Sequence, residues 1–238
     1  MKKKILSNMH THPLVIQLRS LTRKIGLNKM IGSLIGNGYE DRFGPALLAE
    51  IRRGDMVWDI GANVGIYTAQ FLDATGLEGY VVAFEPTLAC FTTCCDRFVD
   101  TRVIVHNIAL GDSDGMISMI VDSDPLGVTH HIVSDQNVKS SRNTQTVQIR
   151  TAESLVLENP HHFPSVVKID VEGYEGRVLD GFEAMLPDRR LHCIGIEVHF
   201  GMLDSLGERD RPKTMQHKLI YHGFDVCWTD PSHLIATR

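Results

Sequence analysis

Two groups of residues in this sequence combine types and spacing that could do chemistry, and each group follows a predicted strand. The first group, called here the glycine turn, runs from Asp59 to Gly65 and follows the apolar residues Met56 to Ile60. A strand that leads through a glycine-rich turn into a helix presents backbone N–H groups to a small ligand. The turn therefore predicts a small-molecule site at the end of this strand.

The residue types in the glycine turn favour a cationic ligand over a phosphate. Its pattern is Asp59-x-Gly61-x-Asn63-x-Gly65, which lacks the third glycine of the Gly-x-Gly-x-x-Gly turns that bind pyrophosphate. A carboxylate at Asp59 would repel a pyrophosphate, but it suits an ammonium or sulfonium group, and S-adenosyl-L-methionine carries both. Taken alone, the two glycines are equally consistent with a tight turn that binds no ligand.

Residues beyond the turn predict that the ligand contains a nucleoside. Glu85 ends the second predicted strand, 20 residues after Gly65, at the position that hydrogen-bonds ribose hydroxyls in related sheets. The third predicted strand leads to Asn107 and Asp112, either of which could hydrogen-bond an adenine base. We therefore predict S-adenosyl-L-methionine as the cofactor. The predicted cofactor-binding residues are Asp59, Gly61, Asn63, Gly65, Glu85, Asn107 and Asp112.

The second group supplies charged side chains at two further strand ends. These residues are Lys168, Asp170 and Glu172 after one strand, and Glu197 and His199 after the next. The carboxyl ends of parallel strands meet at one edge of a sheet, so we expect these side chains to lie beside the cofactor. We predict Asp170 or His199 as a general base. Glu172 and Glu197 would orient the acceptor, and Lys168 would keep Asp170 ionised.

These side chains suit the transfer of a methyl group from a sulfonium to a hydroxyl. A hydroxyl is a poor nucleophile at neutral pH, so it needs a base or a cation that lowers its pKa. If His199 is the base, activity should rise with pH near ~6.5. A divalent metal held by Asp170, Glu197 and His199 is an alternative, although we assign no metal from the sequence.

The elements that must position these groups follow from alternating strand and helix patterns. Predicted strands cover 56–60, 80–84, 103–106, 116–121, 166–169, 192–198, 224–228 and 233–236, and predicted helices cover 45–51, 64–75, 88–99, 174–186 and 212–222. Such alternation indicates right-handed crossovers and a mostly parallel sheet. The linker 229–232 is too short for a crossover, so the last two strands should form an antiparallel hairpin. The predicted fold is α/β and Rossmann-like as in methyltransferases, with a mostly parallel seven-stranded sheet, an antiparallel C-terminal hairpin and helices on both faces.

Length and composition bound the domain organisation. The 238 residues predict one Rossmann-like methyltransferase domain, 39–238, after a basic helical N-terminal extension, 1–38. The extension contains seven Lys or Arg and no Asp or Glu, so it could meet a membrane surface or an acidic partner. We favour a helical cap with a solvated basic side. The polar residues 122–145 are predicted to form a lid-like loop.

Composition also constrains the partners and the compartment. The formal net charge of −5 argues against nucleic acid as the main partner. Five cysteines, an odd number without disulfide or zinc spacing, fit a reducing compartment. The sequence has no signal-peptide pattern and no run that approaches ~18 apolar residues, so we expect a cytoplasmic protein. The sequence does not predict the oligomeric state.

Four segments resemble, in order, the motifs of FkbM-type methyltransferases. They are residues 59–65, Phe84-Glu85-Pro86, residues 107–112 and residues 168–175, the last called here the charged run. The resemblance extends from about Tyr39 to Trp228, and the Lys-Ile-Asp-Val-Glu-Gly sequence in the charged run is its most specific part.

The resemblance implies methylation that depends on S-adenosyl-L-methionine, most often of a hydroxyl on a sugar, a glycan or a secondary metabolite. N-methylation of a peptide or small molecule is the alternative within the family. An NAD(P)-dependent oxidoreductase is a weaker rival, because the glycine turn lacks a third glycine and the sheet ends in a hairpin. Acceptor choice is expected to reside in residues 1–38 and 122–145, which lie outside the motifs.

Overall fold

The computed structural model describes residues 42–99, 102–120, 131–132 and 144–238. The predicted basic extension, 1–38, lies outside the described residues, as does most of the predicted loop 122–145. Among the described residues, no helix is both long enough and apolar enough to cross a membrane.

The described chain alternates strands and helices. The strands are β1 (Met56–Ile60), β2 (Tyr80–Phe84), β3 (Val103–His106), β4 (Ala109–Leu110), β5 (Gly115–Ile120), β6 (His131–Ile132), β7 (Thr144–Arg150), β8 (Val166–Ile169), β9 (Cys193–Glu197), β10 (Asp225–Trp228) and β11 (His233–Thr237). The α-helices are α1 (Phe43–Leu48), α2 (Ile66–Thr75), α3 (Leu88–Arg97), α4 (Ala152–Glu158), α5 (Glu175–Asp180), α6 (Phe200–Ser205) and α7 (Arg211–Tyr221), and a 3-10 helix covers Pro160–His162.

Seven of these strands form one sheet in the order β10-β11-β9-β8-β1-β2-β3. Strands β1, β2, β3, β8 and β9 run parallel, whereas β11 is antiparallel to both β9 and β10. This arrangement confirms the predicted fold, including the C-terminal hairpin. The strand order reverses at β1 and β8, and ligands of open α/β sheets bind at the carboxyl ends of the strands beside such a point.

Helices cover both faces of the sheet, because the central strands are apolar on both faces. Neighbouring residues of a strand point to opposite faces, so Val57 and Trp58 of β1 enter different cores. Val57 packs with Phe43 of α1 and Phe71 of α2. Trp58 packs in the larger core, which also contains residues of α5 and α7, such as Leu219.

A second sheet, which was not predicted, has the order β4-β7-β5-β6. The predicted strand 116–121 is present as β5, but it belongs to this sheet and not to the large one. The interpretation of 122–145 as one loop is wrong at His131–Ile132 and from Thr144 onward, where the chain forms β6 and β7. The alternation of polar and apolar residues explains β7, since Val147 and Ile149 are buried whereas Thr146 and Gln148 are exposed.

Helix lengths also differ from the predictions. The predicted helix 174–186 ends as α5 at Asp180, and a turn-rich segment follows from Gly181, whose backbone packs against Gly111. A Cβ on Gly181 would lie 2.0 Å from the carbonyl oxygen of Gly111. The short helices α4 and α6, with seven and six residues, were missed because such lengths show little helical periodicity.

Candidate active site

The carboxyl ends of β1, β2, β8 and β9 border a cavity of about 290 Å³. Both predicted groups contribute to its lining. The predicted residues that line it are Gly61, Asn63, Glu85, Asp170, Glu172, Glu197 and His199. The cavity is therefore shared by the glycine turn and the charged strand ends.

The glycine turn adopts left-handed backbone conformations that glycine favours. The angle φ is +76° at Gly61, +51° at Asn63 and +79° at Gly65. A Cβ on Gly61 would lie 1.9 Å from the carbonyl oxygen of Asp170, so this position has no room for a side chain. Gly65 is the N-cap residue of α2 and shapes the turn, but it does not line the cavity.

Glu85 ties the end of β2 to the glycine turn. Its Oε2 accepts a hydrogen bond from the N–H of Asn63 at 2.8 Å, and its Oε1 accepts one from the N–H of Thr87 at 2.8 Å. The side chain is buried and lines the cavity. A carboxylate oxygen can accept more than one hydrogen bond, so Glu85 could hold ribose hydroxyls while it fixes both loops.

Asp59 does not have the position that was predicted for it. Its side chain is 0% exposed and is absent from the cavity lining. Oδ2 accepts a hydrogen bond from the hydroxyl of Thr68 at 2.6 Å, and Oδ1 lies 3.2 Å from Nζ of Lys168. The carboxylate is turned into the sheet as a buried counter-ion, and the contact between Asp59 and the cofactor stays a prediction.

Asn107 and Asp112 lie outside the cavity lining, and their contact with an adenine base stays a prediction. The amide of Asn107 donates hydrogen bonds of 2.9 Å to the carbonyl oxygens of Glu85 and Pro86, so it braces the loop after β2. Asp112 forms an ion pair of 3.1 Å with Arg177 on α5. The neighbouring Ile108 does line the cavity.

Lys168 is buried between two carboxylates. Its Nζ lies 3.2 Å from Oδ1 of Asp59 and 3.2 Å from Oδ2 of Asp170. Burial opposes the charge of Lys168, but the carboxylates of Asp170 and Asp59 outweigh it and raise its pKa. Burial likewise opposes the charge of Asp170, but the ammonium of Lys168 and the ring of His199 lower the pKa of that carboxyl. Lys168 does not line the cavity itself, so it acts there through Asp170.

His199 is surrounded by carboxylates. Its Nδ1 lies 2.5 Å from Oε1 of Glu175, a side chain that is 0% exposed. Its Nε2 lies 3.5 Å from Glu172, 3.7 Å from Glu197 and 4.0 Å from Asp170.

The surroundings of His199 raise the pKa of its ring. Burial lowers the pKa of the ring, but the hydrogen bond and charge of Glu175, with the charges of Glu172 and Asp170, raise it to about 9. This pKa lies above the value of ~6.5 at which His199 was expected to titrate, and its role as a base stays a prediction.

The remaining two carboxylates differ in their partners. Oε2 of Glu197 lies 3.3 Å from Nε2 of His233, whose other ring nitrogen lies 2.9 Å from Asp230. Burial raises the pKa of Glu172; the charge of His199 opposes this shift, and the carboxylates of Asp170, Glu197 and Glu175 add to it. Glu172 and Glu197 are both partly exposed, with side-chain exposures of 34% and 30%, so an acceptor in the cavity can reach them.

Sequence reasoning missed two contributors to the site. Glu175 was seen as part of the charged run but received no role, although it fixes His199. The second sheet was not predicted, so Met119 of β5 and Leu110 of β4 were not expected to line the cavity. The buried position of Glu175 depends on how α5 packs, and the sequence carries no signal for that contact.

The sequence matches the family described as "Methyltransferase FkbM domain" over residues 59–224. The Hexuronic acid methyltransferase AglP of Haloferax volcanii is 30% identical to this chain over 159 residues. The aligned part covers 66% of this chain and 61% of AglP, so the chain spans less than two thirds of that relative's length.

Solved structures show more distant likenesses. Precorrin-6y C5,15-methyltransferase from Geobacter metallireducens is 15% identical, with a TM-score of 0.46, over 82% of this chain and 86% of that one. A SAM dependent methyltransferase from Aquifex aeolicus is 12% identical, with a TM-score of 0.44, over 87% of this chain and 95% of that one.

Proposed function

We propose that this chain, which belongs to the FkbM methyltransferase family, transfers the methyl group of S-adenosyl-L-methionine to a hydroxyl of a sugar. One observation carries the proposal: a single cavity is lined both by Gly61 and Glu85, which belong to the proposed cofactor site, and by Asp170 and Glu172, which belong to the charged run. Direct transfer between two bound molecules requires that both reach one such space.

The glycine turn and Glu85 form the cofactor side of the proposed site. Glu85 would accept hydrogen bonds from the ribose hydroxyls, next to the backbone of Gly61 and Asn63. Ile108 and Leu110 would supply the apolar wall that suits an adenine ring, because both are buried and line the same cavity.

The proposed reaction is an in-line displacement at the methyl carbon. A bond forms between the acceptor oxygen and the methyl group while the bond between sulfur and methyl breaks, and the sulfonium becomes a neutral thioether. The sulfonium supplies the reactivity, so the protein must align the acceptor and remove one proton.

We assign to Glu172 the role of the general base that accepts the proton of the acceptor hydroxyl. The sequence predicted Asp170 or His199 for this role. Lys168 already pairs with Asp170 at 3.2 Å, and Glu175 already holds His199. Among the described residues, the ion pair of Glu172 is with His199 at 3.5 Å, and its carboxylate lines the cavity. A carboxylate so placed can accept a proton from a bound hydroxyl.

The proposed acceptor class rests on the relative, since AglP is a hexuronic acid methyltransferase. A sugar presents several hydroxyls, and the carboxylates of Asp170, Glu172 and Glu197 could accept hydrogen bonds from them.

The proposal can be tested with methyl-labelled S-adenosyl-L-methionine and two acceptor sets, glycosides of hexuronic acids and glycosides of neutral hexoses. We expect labelled methyl ethers, which survive mild alkali, whereas a methyl ester on a uronate would be hydrolysed. Label in an alkali-labile product would show that the methyl group is transferred to a carboxylate oxygen and not to a hydroxyl. Labelling of amine-containing control acceptors would contradict O-methylation. Tighter binding of NAD(P) than of S-adenosyl-L-methionine would contradict the cofactor assignment.

A further inference from the structure

The carboxylates beside His199 are arranged around a common point. Ligand atoms of Asp170, Glu197 and His199 all lie within 4.8 Å of one another. Nε2 of His199 is 3.7 Å from Oε1 of Glu197 and 4.0 Å from Oδ1 of Asp170. Donors that share a first-row divalent ion at ~2.1 Å stand roughly 3 to 4 Å apart, so these spacings suit one ion.

The two carboxylates divide their oxygens between structure and this common point. Oδ2 of Asp170 pairs with Lys168 at 3.2 Å, which leaves Oδ1 on the side of His199. Oε2 of Glu197 pairs with His233 at 3.3 Å, which leaves Oε1 on the side of His199. Each carboxylate is thus held in place by one oxygen and presents the other.

Glu175 fixes the orientation of the imidazole. Its Oε1 holds Nδ1 of His199 at 2.5 Å and also accepts a hydrogen bond from the N–H of Gly173 at 3.1 Å. Oε2 of Glu175 is buried and has no hydrogen-bond partner among the described residues. Metal-binding histidines usually donate their second ring N–H to a carboxylate, which turns the other nitrogen towards the metal.

The charge around the common point supports a cation. Among the residues that the structure describes, six carboxylates lie in this connected cluster, against one lysine and two histidines. The carboxylates are Asp59, Asp170, Glu172, Glu175, Glu197 and Asp230, and the basic residues are Lys168, His199 and His233. Negative charge exceeds positive charge even when both imidazoles are protonated, and uncompensated buried charge is costly.

We propose that Asp170, Glu197 and His199 bind a divalent cation inside the cavity, with Glu175 as the positioning residue. Two carboxylate oxygens and one imidazole nitrogen form a mixed donor set, which Mn²⁺ and Zn²⁺ accept better than Ca²⁺ does. Three protein ligands leave coordination positions open for an acceptor oxygen. In the reaction, the ion would lower the pKa of the acceptor hydroxyl or hold the carboxylate of a uronate. This role of the ion rests on the proposed function.

The test measures Mn²⁺ binding to the chelator-treated full chain by electron paramagnetic resonance, without any acceptor. We expect one ion per chain, and at least about tenfold weaker binding in Asp170→Asn, Glu197→Gln and His199→Ala, in line with the loss of a ligand. Glu175→Gln should weaken binding by roughly 10- to 100-fold although it supplies no ligand. A parallel titration with Zn²⁺, read as displacement of Mn²⁺, checks that both ions use one site.

The matched controls are His222→Ala and Glu183→Gln, because His222 and Glu183 form a comparable pair of 3.2 Å outside the cavity. Both should bind Mn²⁺ as the wild type does, and circular dichroism checks that every variant is folded. Wild-type protein that binds no Mn²⁺, or folded ligand variants that bind it normally, would overturn the proposal.

A separate titration of S-adenosyl-L-methionine in the absence of metal distinguishes this proposal from the proposed function. Cofactor binding without any Mn²⁺ binding would overturn the metal site alone. In that case the carboxylates would bind the cationic end of the cofactor, and weaker cofactor binding by Asp170→Asn would support this role. Mn²⁺ binding that depends on the three ligands would support the metal site even if no cofactor bound.

Discussion

The backbone of Gly61 packs directly against the carbonyl group of Asp170, so a Cβ on Gly61 would lie 1.9 Å from that oxygen. The backbone N–H of Asp170 in turn donates to the carbonyl of Ile60 at 3.0 Å. The turn that follows β1 and the charged run that follows β8 are therefore in contact through their backbones. Any change that separates them should disturb the proposed cofactor side and the charged side of the cavity together.

Replacing Gly61 by alanine should abolish measurable binding of S-adenosyl-L-methionine. The added Cβ would collide with the Asp170 carbonyl, and φ of +76° is unfavourable for alanine. Isothermal titration of the cofactor measures the effect. Gly54→Ala is the matched control, since Gly54 has φ of +87° but nothing within 4 Å of its Cβ position. Gly54→Ala should cost only about 1 kcal/mol of stability and bind normally; normal binding by Gly61→Ala would contradict the close packing.

Replacing Glu85 by glutamine should weaken cofactor binding by roughly 10- to 100-fold, as expected for lost charged hydrogen bonds of about 1.5–3 kcal/mol. One carboxylate oxygen would become an NH₂ group that faces a backbone N–H, of either Asn63 or Thr87. The same titration measures it, with the exposed Glu153→Gln as the control. Unchanged affinity in Glu85→Gln would remove Glu85 from the proposed ribose site.

Replacing Lys168 by methionine should destabilise the protein by about 3–5 kcal/mol, the usual cost of leaving a buried charge without its partner. Asp59 would keep its hydrogen bond from Thr68 but lose its cation. Urea unfolding measures the change, and the exposed Lys213→Met is the control. The double variant Lys168→Met with Asp59→Asn should recover part of the loss; equal stabilities of the single and double variants would argue against a coupled pair.

The strands that carry the site could be predicted closely from the sequence. β1, β2, β3 and β8 have the predicted bounds, because each is a short run of mainly apolar residues. The meeting of Asp170 with His199 followed from the rule that parallel strands end at one sheet edge. The same rule could not say which side chains point into the cavity.

Side-chain direction depended on pairing between distant strands. Asp59 and Lys168 are register partners across β1 and β8, so Lys168 forms an ion pair with the carboxylate that had been predicted to contact the cofactor. Nothing in the local sequence of either strand specifies that register. The role of Glu175 was missed for a similar reason, since its contact with His199 joins α5 to the segment after β9.

Acidification should remove a stabilising contact at Asp114. Partial burial opposes the charge of Asp114, but hydrogen bonds from the N–H of Thr151, from Ser154 and from Arg150 lower its pKa. A lowered pKa means that the contribution is present above the ordinary value of ~3.9 and is lost as the pH falls through the folded value. Urea unfolding should therefore show that the stability difference between wild type and Asp114→Asn shrinks on acidification.

The magnitude at Asp114 should be small, below about 1 kcal/mol, because its side chain is 45% exposed and solvent screens the interaction with Arg150. A stability difference that does not change with pH would show that the carboxylate contributes through shape and not through its charge.

Replacing Glu172 by glutamine should lower kcat at least about 100-fold, the typical contribution of a general base, while the affinity for S-adenosyl-L-methionine stays unchanged. The amide keeps the size of the side chain but cannot accept the hydroxyl proton. Single-turnover transfer of labelled methyl to the sugar acceptor measures this step separately from product release. Glu208→Gln is the control, because Glu208 pairs with Arg177 outside the cavity lining. Wild-type turnover in Glu172→Gln would return the role of base to Asp170, whereas parallel losses of turnover and cofactor affinity would indicate a binding role for Glu172 instead.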